Sequence, residues 1–278
     1  MEESTIKPKV LDYDDICELA PFFKGKRKLV NFLFKLLKMD KVNWLHENNY
    51  KTPGAPFTKG ALKDLGITVE VENREVLDNL PEGAFITVSN HPFGALDGII
   101  LISELASRRK DFKVMVNLIL NYITAMRENF IAVDPIATDD PEKRAVTMRG
   151  IREAMMHVKK GHPLGFFPAG AVAKINGKFK IDDQEWQPSI IRLIQQLKVP
   201  VIPIYFHGYN SVMSYILGWL YWPLRSVLLP SEVFRKRGAT LKVSVGEPIS
   251  VEELSKYKEV EELSKYLRDT TFSLKNKK

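Results

Sequence analysis

The sequence predicts an α/β protein: a mainly parallel or mixed sheet flanked by helices, with an N-terminal helical appendage. Short apolar, β-branched runs recur at residues 67–71, 84–89, 112–116, 130–133, 164–167, 201–206 and 240–245, each about the length of a strand. Most are separated by longer stretches of helical pattern, and strands alternating with helices pair in parallel through crossovers. Composition agrees, since 45% of the 278 residues are hydrophobic, enough for the core of one large α/β domain.

The first twenty residues are mixed and polar. Lys24-Gly25-Lys26-Arg27-Lys28 then lead into Leu29, Val30, Leu33, Leu36 and Leu37, which share one helical face that Phe32 and Phe34 widen. A basic cluster beside an aromatic-rich amphipathic helix suits a membrane interface, and packing on the protein's own core would use the same pattern. Residues 44–56, with Asn48-Asn49 and Thr52-Pro53-Gly54, read as a connector. They divide the chain into an appendage, 1–56, and an α/β domain, 57–278. Thr58 to Leu65 is a predicted helix stopped by Gly66, and Ile67, Val69 and Val71 alternate with polar residues as in a half-buried strand.

Pro92 ends the 84–89 strand, because it lacks an N–H and biases His91 away from helical torsions. Helices are predicted from Ile99 through Ala106, over 117–126, over 141–160 with Pro141 near its start and Gly161 at its end, and over 187–197. Val212 to Leu224 is rich in Trp and Tyr and broken by Pro223; it suits a membrane boundary or a buried helix and is too short to cross a bilayer. Ser250 and Glu253 read as a capping box. VEELSKY occurs at 251–257 and again at 260–266, which reads as one charged, exposed helix.

Several classes are disfavoured. A single cysteine, Cys17, cannot form an intramolecular disulfide and fits a reducing compartment. The opening MEEST lacks the basic and apolar regions of a secretory signal. The formal charge of +7 attracts anionic partners, yet no nucleic-acid-reading motif accompanies it. His157 and His162 straddle Gly161 at a spacing unlike a zinc pair, so no metal site is expected; His46 and His207 read as structural or exposed.

Chemistry concentrates where the 84–89 strand ends. His91 can take a proton from a hydroxyl, and a carboxylate such as Asp97 can fix its tautomer and stabilise the imidazolium. No serine elbow is present, so the pair would activate a substrate hydroxyl directly. Taken alone, the two residues fit equally well as caps of the loop and the following helix.

Three ordered blocks then resemble the glycerolipid acyltransferase superfamily, which includes the lysophosphatidic acid acyltransferases. They are Asn90, His91 and Asp97; Phe167-Pro168-Ala169-Gly170; and Val199 to Pro203, together covering about residues 84–208. The resemblance implies His91 as general base and Asp97 as its orienter. It places Asn90, Gly94, Phe167, Pro168, Ala169, Gly170 and Ala171 at the substrate site, with N–H groups near Gly170 and Ala171 receiving an oxyanion. The implied reaction moves a fatty acyl chain from an acyl carrier protein or coenzyme A thioester to a hydroxyl of a lyso-lipid. It needs no bound cofactor, and the implied setting is peripheral, on the cytoplasmic face of the inner membrane.

Five residues, Pro92 to Leu96, separate His91 from Asp97 where the family usually has four, and Gly94 is suited to absorb the extra one. The Asn-His-Pro-x-Gly-x-x-Asp-Gly form is similar to the branch that O-acylates lyso-ornithine or lyso-glycine lipids. Pro135, Ala169 and Val172 stand where phosphate-acceptor enzymes usually carry Arg, Glu and Arg. Neither Pro nor Val supplies the planar fork of Arg, so a phosphate-bearing acceptor is disfavoured. Two alternatives stay open: a lysophosphatidic acid acyltransferase holding phosphate with Arg144, Arg149 or Arg152, and a non-catalytic lipid-binding module. Asp182, Asp183, Glu185 and Trp186 read as an exposed acidic loop or as lining for an acceptor pocket.

Overall fold

The computed structural model describes residues 6–134, 141–176, 180–220 and 222–276. Helices α1 (Tyr13–Leu19), α2 (Arg27–Leu36), α3 (Met39–Asn49) and α4 (Ala55–Asp64) precede β1 (Thr68–Glu72). Next come α5 (Arg74–Asp78), β2 (Ile86–Ser89), α6 (Ala95–Leu105), β3 (Lys113–Asn117), β4 (Phe130–Val133), α7 (Pro141–Lys159) and β5 (Leu164–Phe166). A small hairpin, β6 (Lys174–Ile175) and β7 (Ile181–Asp182), leads to α8 (Pro188–Leu197) and β8 (Val201–Phe206). The chain ends with α9 (Val212–Leu220), α10 (Trp222–Arg235), β9 (Thr240–Val245), α11 (Val251–Leu254) and α12 (Val260–Ser273).

Seven strands form one mixed sheet in the order β1-β9-β8-β2-β5-β3-β4. Strands β8, β2, β5, β3 and β4 run parallel, while β9 is antiparallel to β8 and carries β1 parallel to itself. Ile86 of β2 pairs with Val201 on one side and Leu164 on the other, so β2 lies inside the sheet. All four β2 residues are buried, as expected for a parallel strand covered on both faces.

Alternation along the strands feeds two apolar clusters. Ile202, Ile204 and Phe206 join Ala61, Leu65, Ile100 and Leu105 of α4 and α6. Ile86, Val88 and Val201 join Ala154, Val158, Ile191, Ile194 and Leu267 of α7, α8 and α12. The helices therefore sandwich the sheet.

Four expectations change in the folded chain. Residues 44–56 are no open connector, because α3 runs to Asn49 and α4 begins at Ala55. Two polar residues of α3 are buried and paired: the Asn43 side chain accepts from Val10 and Leu11 N–H, and His46 Nδ1 lies 2.9 Å from the Pro8 carbonyl. Residues 117–126 form no α-helix but two 3-10 segments, Leu118–Tyr122 and Thr124–Asn129. No residue of the first is buried, so it lacks the face that would reward a longer helix. The repeated VEELSKY opens two helices, α11 and α12, rather than one. The second is not an exposed helix, since Leu263, Leu267 and Thr271 are buried beneath it. The acidic stretch at 182–186 is the fourth, taken up with the site.

Candidate active site

Strand β2 delivers its chain end to the edge where the parallel strands finish, the edge at which open α/β sheets place ligands. Asn90 fixes that end. Its amide donates to the Phe206 carbonyl at 2.9 Å and its oxygen accepts the Phe206 N–H at 2.7 Å, tying β2 to β8. Both ends of the amide are therefore engaged by the backbone, which fixes the chain immediately before His91.

His91 Nδ1 lies 2.9 Å from Asp97 Oδ2; the Asp97 side chain is fully buried and that of His91 is 17% exposed. The ring N–H is off the straight line to the oxygen. Asp97 also accepts the Phe93 and Gly94 N–H groups, each at 2.9 Å and on the same Oδ2. The residue thus does both jobs read from the sequence, capping α6 and facing the imidazole. Burial pushes its carboxyl above the usual carboxylate range, against His91 and the two N–H groups, which pull it down.

Gly94 makes the five-residue spacing work. Its φ of +87° folds the turn back so that Asp97 reaches His91. A Cβ there would meet Leu229 at 3.0 Å and Val172 at 3.3 Å.

The second block meets the first. The Phe167 ring stacks on the His91 imidazole with centroids 4.3 Å apart. Pro168 and Ala169 are buried, whereas Gly170 is exposed. The Gly170 N–H closes a turn onto the Phe167 carbonyl at 2.9 Å, which leaves Ala171 as the other of the two N–H groups expected at an oxyanion. Val172 is buried, so the position expected of an Arg is apolar here. Pro135 lies outside the described residues.

Asp183 belongs to the site, not to an exposed loop. Its Oδ1 accepts the His91 backbone N–H at 3.0 Å, and Trp186, itself buried, brings Nε1 to within 3.4 Å of Oδ2. Burial pushes its carboxyl up to about 6. The residue types Asp and Trp were visible in the sequence, but nothing local marked 183 as adjacent to 91. Asp182 turns outward to Arg268 at 3.0 Å. The remaining histidines stay outside the site: His46 is buried by α3, His157 Nε2 lies 3.2 Å from the Pro163 carbonyl, His162 pairs with Asp111, and His207 contacts Ser244. No group of potential metal ligands occurs among the described residues.

A family profile described as Acyltransferase matches residues 16–278. A lyso-glycine lipid O-acyltransferase of Bacteroides thetaiotaomicron is 28% identical over 260 residues, covering 88% of this chain and 89% of that protein. A protein of the same name from Phocaeicola vulgatus is 23% identical over 256 residues, covering 89% and 88%. The crystal structure of the 1-acyl-sn-glycerophosphate (LPA) acyltransferase PlsC from Thermotoga maritima superposes with a TM-score of 0.50 at 19% identity, covering 89% of this chain and 87% of that one. That last likeness concerns the fold alone.

Proposed function

The chain belongs to the acyltransferase family and is an O-acyltransferase, and on that premise we propose that it acylates the hydroxyl of a lyso-lipid by general-base catalysis at His91. The observation that carries this reading is the His91–Asp97 pair, 2.9 Å apart at the finishing edge of the sheet. Nδ1 faces Asp97, which directs Nε2 to the substrate. Nε2 removes the proton of the acceptor hydroxyl as its oxygen attacks the carbonyl carbon of an acyl carrier protein or coenzyme A thioester. The tetrahedral oxyanion, received by backbone N–H groups near Ala171, collapses with cleavage of the C–S bond. The sulfur leaves as a thiol, taking its proton from the imidazolium. No bound cofactor enters this scheme.

The acceptor we propose is a lyso-aminolipid without a phosphomonoester. Both relatives are named for a lyso-glycine lipid, and buried Val172 offers no charge-assisted hydrogen bond where a phosphate would need one. The alternative phosphate ligands Arg149 and Arg152 sit 8 and 11 residues into α7, about 12 and 16 Å along its axis from Pro141. Lysophosphatidic acid and a lyso-glycine lipid offered together with one acyl donor should give mainly the acylated glycine lipid. Preference for lysophosphatidic acid would replace this acceptor with the phospholipid one.

We also propose peripheral attachment to the cytoplasmic face of the inner membrane. Helix α2 buries only Val30 and leaves Phe32 and Leu36 exposed, with exposed Phe22 just before it and Lys24, Lys26, Arg27 and Lys28 alongside. The side chains of Trp219 and Trp222 lie outside the described residues. No helix among the described residues is long and apolar enough to cross a membrane. Flotation with anionic liposomes should recover the protein at low salt and less at high salt, because screening shortens the Debye length to about 10 Å at 0.1 M. Absence from the lipid fraction at every salt concentration would remove α2 as an anchor.

A further inference from the structure

His91 has a second acidic neighbour, 92 residues away in sequence. Asp183 Oδ1 accepts the His91 N–H at 3.0 Å, and the His91 carbonyl accepts the Ala173 N–H at 2.9 Å. Both main-chain groups of the base are thus held by one segment, running from the Phe167-Pro168-Ala169-Gly170 turn to α8.

That segment is braced at its far end. The Gln187 N–H donates to the Pro168 carbonyl at 2.9 Å, closing the loop on itself. Gly170 admits the Gln187 side chain, whose Nε2 a Cβ would meet at 2.0 Å. Trp186 is 4% exposed, packed in the cluster that includes Ala169, and its indole nitrogen approaches Asp183 Oδ2. A carboxylate held here is unfavourable for stability: burial and the nearby Asp97 charge both raise its pKa, opposed by the His91 N–H, the His91 charge and Trp186. Asn90 cannot replace it, because the Asn90 amide fixes residue 90 to Phe206 and leaves the torsions of residue 91 unset.

We propose that Asp183 is a positioning residue for the acyl transfer. By holding the His91 main chain, it sets the imidazole between Asp97 on one side and the acceptor hydroxyl on the other. This rests on His91 being the general base. Asp183→Ala should lower kcat on the order of 10²-fold, the scale of a 1 Å misplacement, with KM for donor and acceptor within about twofold of wild type. Asp183→Asn keeps an oxygen that accepts the N–H and should recover about tenfold or more of that loss. Amide hydrogen exchange at His91, followed without substrate, should quicken by about tenfold or more in Asp183→Ala and stay protected in Asp183→Asn. Should Asp183→Ala fail to fold, Asp183→Ser, too short to reach the N–H, takes its place. The proposal is overturned by wild-type kcat in the truncated variant, by a loss confined to KM, by Asp183→Asn being as impaired as Asp183→Ala, or by unchanged exchange at His91. If the wild-type protein transfers no acyl group to any lyso-lipid, the functional reading fails, and the exchange result still decides whether Asp183 positions His91.

Discussion

Two His–Asp pairs in this chain have nearly the same contact distance and opposite surroundings. His91 Nδ1 lies 2.9 Å from Asp97 Oδ2, and His162 Nδ1 lies 2.8 Å from Asp111 Oδ2. The first pair follows β2, at the edge where the parallel strands finish. The second precedes β3 and β5, at the edge where they begin. The Asp97 side chain is 0% exposed and that of Asp111 is 29% exposed. Asp111 also receives Arg109 through two bonds, Nε to Oδ1 at 3.1 Å and Nη2 to Oδ2 at 2.8 Å, so a fixed cation already balances it. Burial pushes both carboxyls up. For Asp111, Arg109 and His162 outweigh burial and hold it below the usual range, whereas for Asp97 burial wins. Contact distance therefore does not make a catalytic pair. Under the proposed reading, desolvation and a place at the edge where the parallel strands finish set the first pair apart.

The comparison breaks or holds most sharply on turnover. His91→Ala should lower acyl transfer by about 10²–10⁴-fold without unfolding the protein, and Asp97→Asn should also be severe, because the amide can hold the wrong tautomer. His162→Ala should leave turnover within about twofold, since nothing connects it to the reacting atoms. Equal damage from His91→Ala and His162→Ala would show that the distinction drawn from burial is empty.

A smaller effect separates the two turns. Gly94 and Gly161 have φ of +87° and +90°, so alanine is strained at either, by about 1–3 kcal/mol. A Cβ at Gly161 meets nothing within 4 Å, while one at Gly94 meets Leu229 and Val172. Both variants should melt lower, by about 2–10 °C, and Gly94→Ala should fall further. Only Gly94→Ala should also lose turnover, because the same turn carries Asp97 to His91. Thermal melts and kinetics on the two variants decide this.

The smallest effect is in the pH dependence of stability. The carboxyl of Asp111 is depressed by folding, so its contribution is present above the unfolded value of about 3.9 and lost as pH falls through the folded one. Asp111→Asn should therefore melt below wild type at neutral pH, with the gap closing as pH falls below the unfolded value of about 3.9. Asp97 has the opposite sign. Its folded pKa is raised, so its ionised form costs stability above the unfolded value, and Asp97→Asn should not lower the melting temperature at neutral pH. A fall for Asp97→Asn like that for Asp111→Asn would erase the electrostatic difference between the pairs.

Much of this was legible in the sequence because the signals are local. Strands 201–206 and 240–245 are observed over the same residues as their apolar runs. Pro141, Gly161 and Gly66 mark element ends through backbone constraints that act where they stand. The three ordered blocks pointed to the family, and the fold brings the first two together where Phe167 stacks on His91. Local pattern misled where polar residues found distant partners. His46 lay in the stretch read as a connector and is buried with Nδ1 at the Pro8 carbonyl, and the second VEELSKY looked solvent-facing until α12 laid Leu263 and Leu267 on the sheet.

By itself, then, the sequence determined the alternation of strands and helices, the turn that ends β2, and the residue types of the His91–Asp97 pair, all set by torsional preferences and periodicity over a few residues. Only the tertiary structure decided which groups converge on His91: Asn90 tied to Phe206 across 116 residues, Asp183 brought across 92, and Phe167 stacked on the ring. It also decided that Asp97 is fully desolvated while Asp111 stays partly exposed and is balanced by Arg109. The physical reason is that these contacts depend on the order in which strands assemble and on what covers them. Neither is written in the neighbouring residues, since a sheet joins strands through crossovers whose length hides the pairing.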